Sequence, residues 1–290
     1  MSDQAPFHDS EPRTGTLKVP GATLHYEVRG TGPLLLLIPG GSADAAVYDP
    51  VAADLADRYT VVSYDPRGFS RSPLDDPAAD GGVAAHSDDA HRLLAHLAPA
   101  TPGGEPAYVF GSSSSAIVAL DLLTRHPEQV ALAVAHEPQT WPLLPDGARM
   151  RALFAEVRDT YRAEGLGPAL ALMQAEFAAG DGAEEPPARP EPRPLPADVM
   201  ARMQANMPVF LEHVLPVFTG YEPDLDALRA VADRLRPAAG RDSRGHALAR
   251  PVAALAERLG TGVTEFPGSH IGVTEYPAEF AKTLADALRS

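Results

Sequence analysis

The residues best suited to chemistry lie in a serine-rich turn near the middle of the chain. An apolar run that ends at Phe110 is followed by GSSSSA, from Gly111 to Ala116, and then by a helical pattern. Where a buried strand turns directly into a helix, a central serine can stand out as a nucleophile if the residues two positions away on either side are small. Gly111 and Ser115 flank Ser113 in this way, so we expect Ser113 to be a nucleophile.

The same turn has a purely structural explanation. Serine is favoured at the start of a helix because its hydroxyl accepts a hydrogen bond from the backbone. Ser115 also stands where a second glycine is usual in the pattern G-x-S-x-G. The four serines at 112–115 alone therefore leave two interpretations open, a nucleophile and a helix cap.

The segments that must position this turn alternate between strand-like and helix-like patterns. The predicted strands are 22–29, 34–38, 60–64, 107–110 and 130–135, and the predicted helices are 48–59, 88–97 and 116–124. Repeated strand–helix–strand units with short connections favour an α/β fold, in which helices cover both faces of a parallel sheet.

This alternation stops after Ala135 and returns near Asp226. In between we predict helices at 152–163, 167–178 and 197–214, with a proline-rich connector at 186–196 that cannot be helical. We therefore expect three parts: a flexible N-terminal segment at 1–16, an α/β core at 17–140 and 217–290, and a helical cap inserted at 141–216.

Composition narrows the class of protein. The 290 residues include 24 Lys and Arg against 39 Asp and Glu, a formal net charge of −15, and 44% are hydrophobic. The apolar content suffices for a buried core, and the negative charge argues against nucleic acid or an anionic membrane as a partner. The absence of cysteine excludes thiolate nucleophiles, disulfides and cysteine-based zinc sites. The polar, acidic start predicts no signal peptide, so we expect a cytoplasmic protein.

Five segments, taken in order, resemble those of the α/β-hydrolase fold family. They are Ile38–Gly41 (IPGG), Tyr64–Ser72 (YDPRGFSRS), Gly111–Ser115, His126–Glu128 (HPE) and Phe266–Ile271 (FPGSHI). Ser70 stands at the second glycine of the family's D-x-R-G-x-G-x-S pattern, and Pro39 replaces its usual histidine. The resemblance implies a mostly parallel central sheet with helices on both faces and a helical cap insertion.

The resemblance also implies a role for each candidate residue. Ser113 would attack a carbonyl, and His270, which follows the last predicted strand at 262–266, would take and return the proton. For the acid that orients His270 we expect Asp242, in a Gly-x-Asp segment, with Glu137 as the alternative. In this family the acid can follow either of two strands, and each residue fits one of them.

The backbone N–H groups of Gly41 and Ser114 are expected to hold the developing oxyanion. The chemistry needs neither a metal nor an organic cofactor. A group of histidines and aspartates at 86–96 fits the surface of a helix better than a metal site, because His91 and His96 are five residues apart and do not share a helix face.

The inserted segment carries a hint about the substrate. The single tryptophan and most of the methionines lie there or beside it, and methionine adapts to varied apolar ligands. We expect Trp141, Met173, Met203 and Met207 to contact substrate, although helix packing would explain the same residues.

Together these features predict a serine hydrolase that cleaves a carboxylic ester or lactone of a medium-sized, largely apolar small molecule through an acyl-enzyme. One alternative is a non-hydrolytic small-molecule-binding or biosynthetic protein on the same fold. Another is a cofactor-free haloperoxidase (perhydrolase), although Ser114 stands where such enzymes often have methionine. Ser113 excludes the aspartate nucleophile of epoxide hydrolases. A homodimer remains an option for the oligomeric state.

Overall fold

An eight-stranded sheet forms the centre of the computed structural model, which describes residues 11–77, 79, 81–98, 105–178 and 194–289. The strand order is β1-β2-β4-β3-β5-β6-β7-β8. The strands are β1 (Arg13–Val19), β2 (Ala22–Arg29), β3 (Leu34–Ile38), β4 (Thr60–Tyr64), β5 (Ala107–Ser112), β6 (Val130–His136), β7 (Leu235–Gly240) and β8 (Thr264–Phe266).

Strand direction decides where the loops meet. In the described sheet β1–β2 and β2–β4 pair antiparallel, and every pairing from β4 through β3 to β8 is parallel. Parallel strands end at one edge, so the segments that follow β3, β5, β6 and β8 come together there. Ligands of open α/β sheets bind at this carboxyl edge.

Helices cover both faces of the sheet. The described helices, with α4 to α7 belonging to the insertion, are α1 (Asp49–Leu55), α2 (Gly82–Leu97), α3 (Ser114–Arg125), α4 (Gly147–Glu164), α5 (Leu166–Ala178), α6 (Ala197–Val209), α7 (Leu215–Phe218), α8 (Leu225–Ala230), α9 (Arg250–Leu259), α10 (Gly272–Glu275) and α11 (Pro277–Ala287). No described helix combines the length and the apolar character that crossing a membrane requires.

Strand β3 shows how the core is divided. All five of its residues are buried, as expected of a strand covered on both faces. Leu34, Leu36 and Ile38 point into the apolar cluster that includes residues of α2 and α3. Leu35 and Leu37 point to the opposite cluster, which includes residues of α1 and α11. The alternation of side chains along a strand thus produces two cores, one on each face.

The insertion has an apolar core of its own. Trp141, at its start, is fully buried and packs against Phe154 of α4. Leu211 and Leu215 contribute from the other end of the segment. Between α6 and α7 the chain forms a π-helical turn at Phe210–Val214, directly after the helix-disrupting Pro208 of α6.

The predicted α/β-hydrolase architecture is confirmed, with differences at its borders. Arg13 to Thr16, expected to be flexible, belong to β1, which pairs with β2 along its length. Because β1 is mostly exposed, it carries no apolar run that could have revealed it. The rest of the proposed N-terminal segment, at 1–10, and most of the proline-rich connector, at 186–193, lie outside the described residues.

Candidate active site

The candidate nucleophile Ser113 stands at a strained turn. It connects the end of β5 to the start of α3 with φ 61° and ψ −124°, a conformation that non-glycine residues rarely adopt. Its backbone N–H donates to the carbonyl of His136 at the end of β6, over 2.9 Å. The turn is therefore tied to the neighbouring strand, as a sharp elbow that presents its central serine requires.

Gly111 and Ser115, on either side of the elbow, are small for different structural reasons. A Cβ on Gly111 would collide with the backbone carbonyl of Ser115, so glycine is required there. Ser115, in contrast, uses its hydroxyl: Oγ lies 2.6 Å from the carbonyl oxygen of Ile38 and accepts the N–H of Ser112 over 2.9 Å. Serine in place of the usual glycine thus links the end of β3 to the elbow.

Glu137, directly after β6, is the carboxylate that contacts the candidate base. Its Oε2 lies 2.5 Å from Nδ1 of His270. Its Oε1 accepts the backbone N–H of Gly240 over 2.9 Å, and its own N–H donates to the carbonyl of Ala238 over 2.8 Å. Glu137 is fully buried and holds a positive φ of 46°.

Asp242 was expected against His270, but the carboxylate that the structure places there is Glu137, the alternative. Among the described residues no hydrogen bond or ion pair joins Asp242 to His270. Asp242 instead anchors its loop through its backbone N–H, which donates to the carbonyl of Gly268 over 2.9 Å. The preceding Gly240 is needed because a Cβ there would lie 2.5 Å from that same carbonyl oxygen. The Gly-x-Asp pattern therefore reflects close packing of two loops.

Electrostatics keep Glu137 ionised. Burial raises the pKa of a carboxyl group, but the hydrogen bond and the charge of His270 outweigh it and hold the pKa of Glu137 at about 2, below its ordinary 4.5. The Ser243 hydroxyl lowers the pKa further. A buried carboxylate of this kind fixes the orientation of an imidazole and stabilises the imidazolium when it takes a proton.

The loop that carries His270 is held by a residue that sequence reasoning missed. Buried Glu275 accepts the Ser269 N–H over 2.7 Å and the Ser269 hydroxyl over 3.0 Å. Gly268 has a φ of 79°, and a Cβ there would lie 2.6 Å from Glu275 Oε2. The spacing Ser-His-x₄-Glu in the sequence is the signal that could have identified this clamp.

The two expected oxyanion donors lie next to each other. Gly41 follows β3 with a φ of 61°, and Ser114 is the first residue of α3, where N–H groups have no partner within the helix. In this structure the Gly41 N–H donates to the side-chain Oγ of Ser114, over 3.0 Å. The Ser114 hydroxyl thus occupies one of the two donors.

A second histidine beside the site has a different character. His136 is fully buried among Phe110, Phe266 and Phe280, and burial lowers its pKa to about 4. Its Nδ1 lies 2.9 Å from the Ser112 hydroxyl. The ring is therefore neutral near pH 7 and supports the elbow.

The four residues expected to contact substrate fall in different places. Trp141 is fully buried in the insertion's core, so it packs helices and does not line an open pocket. Met173 and Met207 are partly buried against the same core. Met203 packs against a different core, the sheet-face cluster that includes residues of α1 and α11.

The crowding at Gly111 can be tested with a pair of alanine variants. Gly111→Ala should lower the free energy of unfolding by about 1–3 kcal/mol, because the new methyl group must displace the Ser115 backbone. Gly262→Ala, where a Cβ would meet nothing within 4 Å, is the matched control. Urea unfolding of both variants measures the difference, and equal stabilities would contradict the proposed crowding.

The ionisation of Glu137 predicts a pH-dependent contribution to stability. A carboxyl whose pKa is lowered on folding stabilises the native state above its ordinary pKa and loses that effect as the pH falls towards the folded value. The stability gap between wild type and Glu137→Gln should therefore be widest above about pH 5 and narrow towards about pH 3. Urea unfolding across this range measures it, and a gap that widens on acidification would contradict the assignment.

Comparison with known proteins agrees with this geometry. The model of the alpha/beta hydrolase family matches residues 35–283. The chain is 40% identical over 280 residues to the uncharacterised hydrolase YraK of Bacillus subtilis (strain 168), across 94% of this chain and 95% of that protein.

Two solved structures share the fold at 20% identity. One is a thermophilic esterase from Thermogutta terrifontis, with a TM-score of 0.68 over 96% of this chain and 98% of the other. The second is a candidate epoxide hydrolase from Pseudomonas aeruginosa, with a TM-score of 0.67 over 96% and 95%. With the sheet order and the family match, these comparisons identify the chain as a hydrolase that belongs to the alpha/beta hydrolase family.

Proposed function

We propose that this protein is a serine hydrolase that cleaves a carboxylic ester or lactone of a medium-sized, largely apolar molecule through an acyl-enzyme. The observation that carries the proposal is the strained Ser113 turn at the same sheet edge as the His270–Glu137 pair. A serine at φ 61° has a conformational cost that helix capping does not require. A buried carboxylate on Nδ1 of a histidine suits a general base.

In the proposed reaction Ser113 Oγ attacks the carbonyl carbon while His270 takes the hydroxyl proton. Because Glu137 engages Nδ1, Nε2 is the ring nitrogen left for that proton. When the C–O bond breaks, His270 returns the proton to the leaving alkoxide and Ser113 keeps the acyl group. A water molecule then repeats the attack with His270 as base, releasing the acid and restoring Ser113.

Apolar walls beside the oxyanion donors support an uncharged substrate. A cavity of about 10 Å³ touches Gly41 and Ser114, and its apolar lining includes Phe69, Val214 and Phe218. Val214 and Phe218 come from the π-helical turn and α7 of the insertion. The insertion therefore supplies part of the apolar wall beside the two proposed donors.

A non-hydrolytic binding protein on the same fold is the second candidate. The occupied Gly41 N–H favours it, because a donor that already has a partner is less available to an oxyanion. An epoxide hydrolase is disfavoured, since serine at position 113 cannot supply the carboxylate nucleophile of that mechanism.

Fluorophosphonate labelling tests the nucleophile directly. We expect one adduct on wild type by intact mass, none on Ser113→Ala, and strongly slowed labelling of His270→Ala, because the probe reacts with an activated serine. Glu137→Gln should slow labelling by about two orders of magnitude or more. Its matched amide control, Asp242→Asn, should label at a rate close to that of wild type.

Each arm of this experiment has a clear contrary outcome. A folded wild type that takes no label contradicts the serine-hydrolase proposal and favours the binding protein. If Asp242→Asn is slowed and Glu137→Gln is not, the assignment of the acid is wrong. Hydrolysis of p-nitrophenyl esters and of lactones then compares the two substrate classes.

Ser114→Ala tests the occupied donor. Removing Oγ frees the Gly41 N–H for a substrate carbonyl without loss of the Ser114 backbone donor. We expect kcat/KM for a small p-nitrophenyl ester to rise by about 2- to 10-fold, the equivalent of one neutral hydrogen bond. A fall in kcat/KM would mean instead that the hydroxyl itself helps to stabilise the oxyanion.

A further inference from the structure

Asn206 of α6 is a buried amide that joins the insertion to the loop after β3. Its side chain is only 3% exposed. Nδ2 donates to the backbone carbonyl of Ser42 over 2.9 Å and to the hydroxyl of Ser70 over 2.9 Å. Oδ1 accepts the backbone N–H of Ser70 over 2.8 Å. One side chain of the insertion therefore holds two loops at the carboxyl edge of the sheet.

The contact with Ser42 continues through the backbone to the oxyanion donor. The carbonyl of Ser42 and the N–H of Ala43 belong to one peptide group, and that N–H donates to the carbonyl of Gly40 over 3.1 Å. The Gly40 carbonyl that accepts this bond belongs to the same peptide group as the N–H of Gly41. A chain of hydrogen bonds thus runs from the Asn206 amide to the Gly41 N–H, and such chains polarise each member.

Ser70 makes two of the hydrogen bonds that hold the Asn206 side chain. It occupies the second glycine position of the family pattern with a φ of 45°, so its backbone is strained. Its N–H and its hydroxyl both bond to Asn206, and its hydroxyl also donates to Asp44 Oδ2 over 3.0 Å. The hydroxyl that replaces glycine at this position therefore connects the turn with the insertion.

A charged contact supports the same junction. Asp44 is fully buried, and its Oδ2 accepts from Nε of Arg202, one turn before Asn206 on α6, over 2.5 Å. Its Oδ1 accepts the backbone N–H of Ala46 over 3.1 Å. α6 thus contacts the Gly41–Asp44 loop at two points, Ser42 and Asp44.

We infer that Asn206 is a positioning residue, which orients and polarises the Gly41 N–H so that this N–H can exchange Ser114 Oγ for the oxyanion. This inference rests on the proposed function, because it assigns Asn206 to the transition state of that reaction. Because the Gly41 N–H would donate to a charge that develops only in the transition state, Asn206 would stabilise the transition state more than the bound substrate. Loss of it should therefore lower kcat and leave KM nearly unchanged.

The test compares three full-length variants with wild type. Asn206→Ala removes all contacts of the amide. Asn206→Asp keeps the shape and the acceptor for the Ser70 N–H but cannot donate to Ser42. Gln204→Ala, at an exposed position on the same helix, is the matched control. For each, kcat and KM are measured with a p-nitrophenyl ester, together with inhibition by an alkyl trifluoromethyl ketone, which forms a tetrahedral oxyanion on the serine.

We expect both Asn206 variants to lose about tenfold or more in kcat, with KM near that of Gln204→Ala. Affinity for the trifluoromethyl ketone should fall in parallel, which a merely structural role would not cause in the folded protein. If Asn206→Ala does not fold, Asn206→Asp decides the question.

Three results would overturn the inference, and they can be distinguished from one another. If wild type turns over and both Asn206 variants match Gln204→Ala per folded molecule, the inference fails while the proposed function stands. The inference also fails if kcat falls but ketone affinity does not. If folded wild type neither hydrolyses esters nor binds the ketone, the proposed function fails and the inference fails with it.

Discussion

Close backbone approach at the carboxyl edge of the sheet is the constraint on which the whole candidate site depends. A Cβ on Gly40 would collide with the carbonyl oxygen of Ser112, and one on Gly111 with that of Ser115. Only with both glycines in place can the end of β3 and the β5–α3 turn share the Ser115 hydroxyl. The Ser113 turn and the loop after β3 therefore pack as one unit, so a displacement of either would displace the other.

The buried carboxylate of Glu137 adds a polar constraint to this packing. An ionised group away from water is costly unless several donors surround it. Glu137 has the Gly240 N–H, the imidazole of His270 and the hydroxyl of Ser243. Gly240 ends β7, Ser243 follows β7 and His270 follows β8, so Glu137, directly after β6, joins the ends of three neighbouring strands. Glu137 thus stabilises the carboxyl edge of the sheet as well as holding the imidazole of His270, the proposed base.

Local patterns were sufficient to predict the parts of the site that depend on neighbouring residues. Apolar runs revealed β3, β5 and β6, and the small residues around Ser113 predicted the elbow. Local sequence could not decide which carboxylate contacts His270. Gly240, two residues before Asp242, packs against the His270 loop, so the Gly-x-Asp segment resembles one that carries a catalytic acid. Asn206 was out of reach, since it contacts Ser70 and Ser42 across 136 and 164 residues.

The placement of the insertion between Glu137 and His270 has a consequence for how the protein is made. Chains fold as they emerge from the ribosome, from the N-terminal end onwards. The proposed nucleophile and acid follow β5 and β6, whereas the proposed base follows β8, which forms one edge of the sheet and comes last in the chain among its described strands. In the proposed mechanism a nascent chain therefore carries an unactivated serine until β8 and His270 have been synthesised and have joined the sheet.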